Sequence, residues 1–148
     1  MGPSDSRPAL SATTLTTYST MDYNGYRKKS GAEKSYRLRY PTTDAQNHAD
    51  EKELTWVEAS SLKELGKLTG FELHSTELDF DAFENVPVPD KRGHIYAVEG
   101  VNFSLRKGSK AIDAGVAIPN VTDGFSGKAP DLGALEAGAA MPVYGPRN

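Results

Sequence analysis

Phe103-Ser-Leu-Arg-Lys-Gly-Ser-Lys-Ala-Ile-Asp-Ala-Gly115, followed after a loop by Pro130-Asp-Leu-Gly-Ala-Leu-Glu136, is the stretch on which the reading of the fold turns. Phe103 and Leu105 alternate with polar neighbours, as in a half-buried strand. Gly108-Ser109 supplies a turn. The short apolar run Ala111-Ile112 stops at Asp113-Ala114-Gly115, and Pro130-Asp131 opens a second run, Leu132 to Leu135. Both runs are expected to be buried strands in parallel register. Asp113 and Asp131 each stand beside a glycine-containing corner, where a carboxylate can accept backbone N–H groups. Gly115 and Gly133 are expected to supply backbone shapes that a Cβ would oppose. These four residues are read as structural.

The pair Gly-Ser-x-Ala-Ile-Asp-Ala-Gly and Pro-Asp-Leu-Gly-Ala-x-Glu resembles the closing coils of right-handed parallel β-helix proteins of the pectate-lyase-like kind. The resemblance is specific over residues 103–136. It implies an all-β fold, in which residues 13–148 form the C-terminal coils of a parallel β-helix with one short helix and long loops, behind a loose entry over residues 1–12. It also implies a secreted, polysaccharide-active parent, a lyase or a hydrolase, with catalytic groups mostly outside this chain. Two further functions fit the same frame: a non-catalytic carbohydrate-binding or cell-surface solenoid, and a structural terminus that shields the core of a longer protein. The implied partners are an acidic polysaccharide and upstream β-helix coils. A second architecture, an α+β or sandwich domain with a coincidental motif match, fits the same strand–loop layout.

The 148 residues fit one domain and contain no Cys, so disulfides and thiolate metal sites are excluded. No apolar run approaches the roughly 20 residues of a membrane span. The N-terminal Met1-Gly-Pro-Ser-Asp-Ser-Arg-Pro8 has neither the basic start nor the apolar core of a signal peptide. An extracellular or periplasmic location is therefore expected for a longer parent rather than from this stretch. Charge is uneven: residues 1–43 hold seven Lys/Arg against three Asp/Glu, and residues 44–90 hold three against twelve. With no long basic stripe and an acidic balance, nucleic-acid binding is a poor fit.

Upstream, Thr13 to Tyr18 suits a strand, and Asn24-Gly25 suits a turn between aromatic residues. Ser35-Tyr-Arg-Leu-Arg-Tyr40 alternates strictly, with Tyr36, Leu38 and Tyr40 on one face and Arg37 and Arg39 on the other. Ser61-Leu-Lys-Glu64 is a capping-box pattern that opens a helix over Ser61 to Thr69, with Leu62, Leu65 and Leu68 facing the body and Gly70 as the stop. Trp56 and Val57 are expected beside this helix. Glu77 to Asp81 and Ile95 to Val98 read as further strands.

The best binding candidates are Tyr23, Tyr26, Arg27, Lys28, Arg37, Arg39 and Tyr40. Cations can neutralise a uronate, and tyrosine can transfer protons or stack on a sugar. Half of the set falls on a core face. Glu77, Asp79 and Asp81, at alternate positions, are the one candidate calcium group, since hard cations take oxygen ligands. No cofactor is otherwise expected. The histidines His48, His74 and His94 show no ligand spacing.

Overall fold

A computed structural model describes residues 8–28, 33–89 and 95–140. The chain divides into two compact units, residues 1–79 and 80–148.

In the first unit, strict alternation makes Tyr36–Tyr40 (β3) a central strand. Tyr36 and Leu38 are fully buried, while Arg37 and Arg39 project from the opposite face. Leu10–Thr13 (β1) pairs with β3 in parallel, Leu10 beside Tyr36 and Ala12 beside Leu38. Thr55–Ala59 (β4) pairs with its other edge antiparallel, Val57 beside Leu38 and Trp56 beside Arg39. Trp56 thus belongs to the outer face, where the Arg39 guanidinium lies 4.7 Å from its ring centre. Only Val57 of the expected pair packs against the core. Gly25–Tyr26 (β2) and Thr76–Glu77 (β5) form a second, two-stranded parallel sheet.

Leu62–Thr69 (α1) is an eight-residue helix, placed where the capping signal put it. The Ser61 hydroxyl accepts the Glu64 N–H at 3.1 Å. The Glu64 carboxylate reaches one residue further back than a capping box requires, accepting from the Ser60 N–H and hydroxyl. Gly70 closes the helix in the left-handed region at φ 78°, a conformation that costs a Cβ-bearing residue energy. Leu62 and Leu65 are buried, but Leu68 is 55 % exposed. With 3.6 residues per turn, Leu68 lies about 120° around the helix from Leu62, too far to share its face. The core of the unit is Tyr36, Leu38, Ala59, Leu62 and Leu65, with Leu10, Ala12, Val57 and Phe71 packed around it.

The second unit is held differently. A 3-10 turn over Phe80–Ala82 leads into Phe83–Asn85 (β6), which pairs antiparallel with Asn102–Leu105 (β7). Among its described residues the almost fully buried aliphatic side chains are Ala82, Leu105 and Ala111. The remaining described residues of the unit are turns and irregular chain.

This architecture overturns the expected all-β parallel β-helix. Among the described residues the strands form separate sheets of three, two and two strands, two of the four pairings are antiparallel, and no coil stacks on another. The arrangement is a small α+β-like fold. Residues 111–113 and 132–135 form turns and bends, not strands. Each run is interrupted by Asp and Gly before a ladder can extend. The Ala111 and Ile112 N–H groups turn back to Ser109, that of Leu132 reaches the Ala111 carbonyl, and those of Asp113 and Asp131 go to carboxylates. Other expected strands also fail. The first strand lies at Leu10–Thr13 and not over Thr13 to Tyr18. Glu77 to Asp81 contributes only the end of β5 before the 3-10 turn. Ile95 to Val98 is irregular. Asn24-Gly25 makes no hairpin turn. Gly25 sits in β2, where an added Cβ would fall 2.7 Å from the tip of the Leu78 side chain, which would have to shift. The left-handed residue there is Tyr23, at φ 56°.

Candidate functional site

The structure distributes the seven binding candidates over two faces of the first unit and gives each a local partner. Arg27 pairs with Asp79 at 2.6 Å, Arg37 with Glu58 at 2.8 Å and Arg39 with Glu51 at 2.9 Å. Lys28 donates to the Ser60 carbonyl at 2.8 Å. The excess positive charge of residues 1–43 is met by carboxylates from residues 44–90, so these cations do not converge on a ligand. Such half-exposed pairs contribute on the order of 0–1 kcal/mol each. Tyr40 stacks edge-on against Phe71, with ring centres 5.6 Å apart.

The tyrosines lead to a polar junction that joins residues 22–26 to residues 72–77. Glu72 is only 2 % exposed and sits in the left-handed region at φ 57°. It accepts from the Tyr26 hydroxyl at 2.8 Å, from Asn24 Nδ2 at 3.1 Å and from the Ser75 hydroxyl. A buried carboxylate is tolerated only when hydrogen-bonded, and neutral donors do that here. Tyr36 donates to Glu77 at 2.8 Å, and its ring meets that of Tyr26 edge-on. Burial raises the pKa of both phenols well above their ordinary value, and the adjoining carboxylates, Glu72 for Tyr26 and Glu77 for Tyr36, push the same way. Both therefore act as hydrogen-bond donors rather than proton shuttles near neutral pH.

At the end of this junction Asp22 Oδ1 accepts the N–H groups of Tyr23 and His74, while Oδ2 faces His74 Nδ1 at 2.6 Å. The Tyr23 ring stacks on His74 at 4.9 Å. Burial acts to raise the Asp22 pKa, but the hydrogen bonds from His74 and Tyr23 outweigh it and the net shift is downward. Sequence reasoning set His74 aside for lack of ligand spacing and passed over Asp22 and Glu72, because nothing in the local sequence links positions fifty residues apart. An Asp–His pair next to a nucleophile would be a catalytic unit. Here the nearby Ser75 hydroxyl is committed to Glu72, and the pair fastens two segments.

The calcium candidates are dispersed. Glu77 holds Tyr36, Asp79 holds Arg27, and Asp81 lies in the 3-10 turn of the second unit. Among the described residues no group of three or more His, Asp or Glu side chains could hold a metal ion. His94 lies outside the described residues.

In the second unit the quoted motif does meet itself, through carboxylates. Asp113, at φ 56°, accepts the N–H groups of Lys128 and Ala129. Asp131 accepts those of Asp113 and Ala137, and Glu136 accepts that of Asp131. Backbone bonds Leu132 N to Ala111 O at 2.8 Å and Gly115 N to Pro130 O at 2.7 Å complete the junction. A Cβ on Gly115 would lie 2.7 Å from the Pro130 carbonyl oxygen, and one on Gly133 would press on Leu135 and Leu105. Asp113 Oδ1, both Asp131 oxygens and Glu136 Oε1 thus accept backbone N–H groups, while Glu136 Oε2 is buried without a hydrogen-bond partner among the described residues.

Beside exposed polar residues such as Arg106, Lys107, Lys110 and Lys128, this unit presents several large apolar side chains to solvent. Ile95 is 92 % exposed, Val98 79 %, Val121 73 % and Phe103 58 %. No family model matches this chain, and no curated protein or solved structure is significantly similar to it. With the β-helix overturned, the pectate-lyase-like and carbohydrate-binding readings lose their support, since they rested on that resemblance and the cations are paired. Among the described residues no helix is long and apolar enough to cross a membrane.

Proposed function

We propose that this chain is a structural docking module whose second unit is covered, in its working form, by an apolar surface of a larger protein. One observation carries the proposal. Among its described residues the unit buries the aliphatic side chains of Ala82, Leu105 and Ala111 almost fully but leaves Ile95, Val98, Phe103 and Val121 more than half exposed. Isolated exposed hydrophobes are ordinary, whereas large ones that share a face mark an interaction surface, and we take these four to do so. The carboxylates of the unit hold its loops. This supports a scaffold that presents a face rather than a catalytic cleft.

The test is the behaviour of the chain in solution. Sedimentation velocity and dye binding are measured on the wild type and on an Ile95→Ser/Val98→Ser variant. The wild type is expected to self-associate with rising concentration and to bind an apolar dye, and the variant to do both several-fold less. A wild type that stays monomeric at high concentration and binds no dye overturns the proposal.

A further inference from the structure

The first unit contains a cleft of about 430 Å³ at the C-terminal end of α1, between the segment leading to Asp22 and the end of β3. That volume falls in the range of small-molecule sites, roughly 300–1,000 Å³. Its electrostatics have one sign. Asp22 is the single charged side chain among the described lining residues, and no Lys, Arg or His lines it. The last turn of α1, Thr69 and Gly70, forms another part of its wall. A helix C-terminus carries partial negative charge and favours a cation, although here the Gly66 and Leu68 carbonyls already accept from the Gly70 N–H and the Tyr40 hydroxyl. Tyr40 and Phe71 line the cleft as well, and aromatic faces attract ammonium groups.

Asp22 also has acceptor capacity to spare. Oδ1 receives two N–H groups, but Oδ2 receives only the His74 ring nitrogen. A carboxylate oxygen has two lone-pair sites, so Oδ2 retains one. Carboxylate, helix end and aromatic rings are three independent sources of attraction for the same kind of ligand. We infer that this cleft binds a small organic ammonium ion, its charged head against Asp22 and its apolar part against Tyr40 and Phe71. The site is separate from the apolar surface of the second unit, and neither reading depends on the other.

The experiment is an NMR titration of the isotopically labelled chain at neutral pH, with phenethylamine as the cationic probe and 2-phenylethanol as its neutral counterpart. The amine is expected to move the amide signals of residues 16–22, 40–42 and 69–71 and to bind at least about tenfold more tightly than the alcohol, the scale of one charge-assisted contact. Asp22→Asn keeps an acceptor for the backbone N–H groups and should abolish that preference. If Asp22→Asn does not fold, Tyr40→Leu decides instead. It leaves the Asp22 bonds in place and should weaken the amine several-fold more than the alcohol. Equal binding of amine and alcohol, amide shifts elsewhere, or an unchanged preference in the variants would overturn the inference.

Discussion

The two units solve the same problem by different means. The first gathers Tyr36, Leu38, Ala59, Leu62 and Leu65 into one interior and covers one face of a three-stranded sheet with a helix. The second, among its described residues, buries few apolar side chains fully and ties its turns with Asp113, Asp131 and Glu136 to backbone N–H groups. Hydrophobic burial is non-directional and grows with area, whereas a carboxylate–amide bond is local and specific. The first unit should therefore be sensitive to side-chain volume, and the second to the loss of single polar atoms.

The comparison breaks most visibly at Leu65, which has no exposed surface. Leu65→Ala should cost about 2–5 kcal/mol in denaturant unfolding, with amide exchange accelerated across β3, β4 and α1. A cost below 1 kcal/mol would mean that the interior is not closely packed. The counterpart in the second unit is Asp113→Ala, which removes the acceptor of two backbone N–H groups and places Ala in a left-handed conformation. A loss of roughly 1–3 kcal/mol is expected, with exchange rising at Lys128 and Ala129. Unchanged exchange there would remove the carboxylate from its holding role. Smaller again is Ser61→Ala, which deletes the helix cap and should cost about 0.5–2 kcal/mol, with helical circular dichroism reduced.

The smallest expected effect is on pH dependence. The Asp22 pKa lies below its ordinary value of 3.8 in the folded chain, so folding favours the ionised carboxylate. Its contribution is present above 3.8 and is lost as the pH falls through the depressed folded value. Asp22→Asn should flatten the acid limb of the stability curve in that range alone. A parallel displacement of the whole curve would show that the charge is not what matters.

Local patterns were legible in the sequence, and pairings were not. The alternation in Ser35 to Tyr40 placed β3 and sorted its faces, and the Ser61 cap and Gly70 stop placed α1, because both signals lie within a few residues. The resemblance at residues 103–136 misled because the Asp–Gly corners that close a β-helix coil also close ordinary turns. What decides between them is whether the neighbouring apolar runs find a ladder. Here Ile112 and Leu132 find carboxylate-braced turns. The junction of Asp22 and Glu72 with the opposite segment was illegible for a related reason. Asp22, Tyr26, Glu72 and His74 are ordinary residues until the chain brings them together, and no short-range signal records that meeting. The same holds for the ion pairs of Arg27, Arg37 and Arg39, whose carboxylate partners lie 12 to 52 residues away along the chain.

The parallel pairings carry a consequence for how the chain reaches this state. β3, β4 and α1 follow one another along the chain and can assemble from near neighbours. β1 cannot be laid down until β3 exists beside it, and Gly25 must wait for Thr76 to emerge and turn back. Closing such wide loops is entropically slow before any contact rewards it. During synthesis the first strands therefore wait for later ones: the Leu10 and Ala12 side chains stay uncovered until β3 has formed, and Gly25 and Tyr26 stay unpaired until the segment after the helix has left the ribosome. Refolding should accordingly show β3, β4 and α1 protected early and β1 and β2 late, an order opposite to that in which the residues are made.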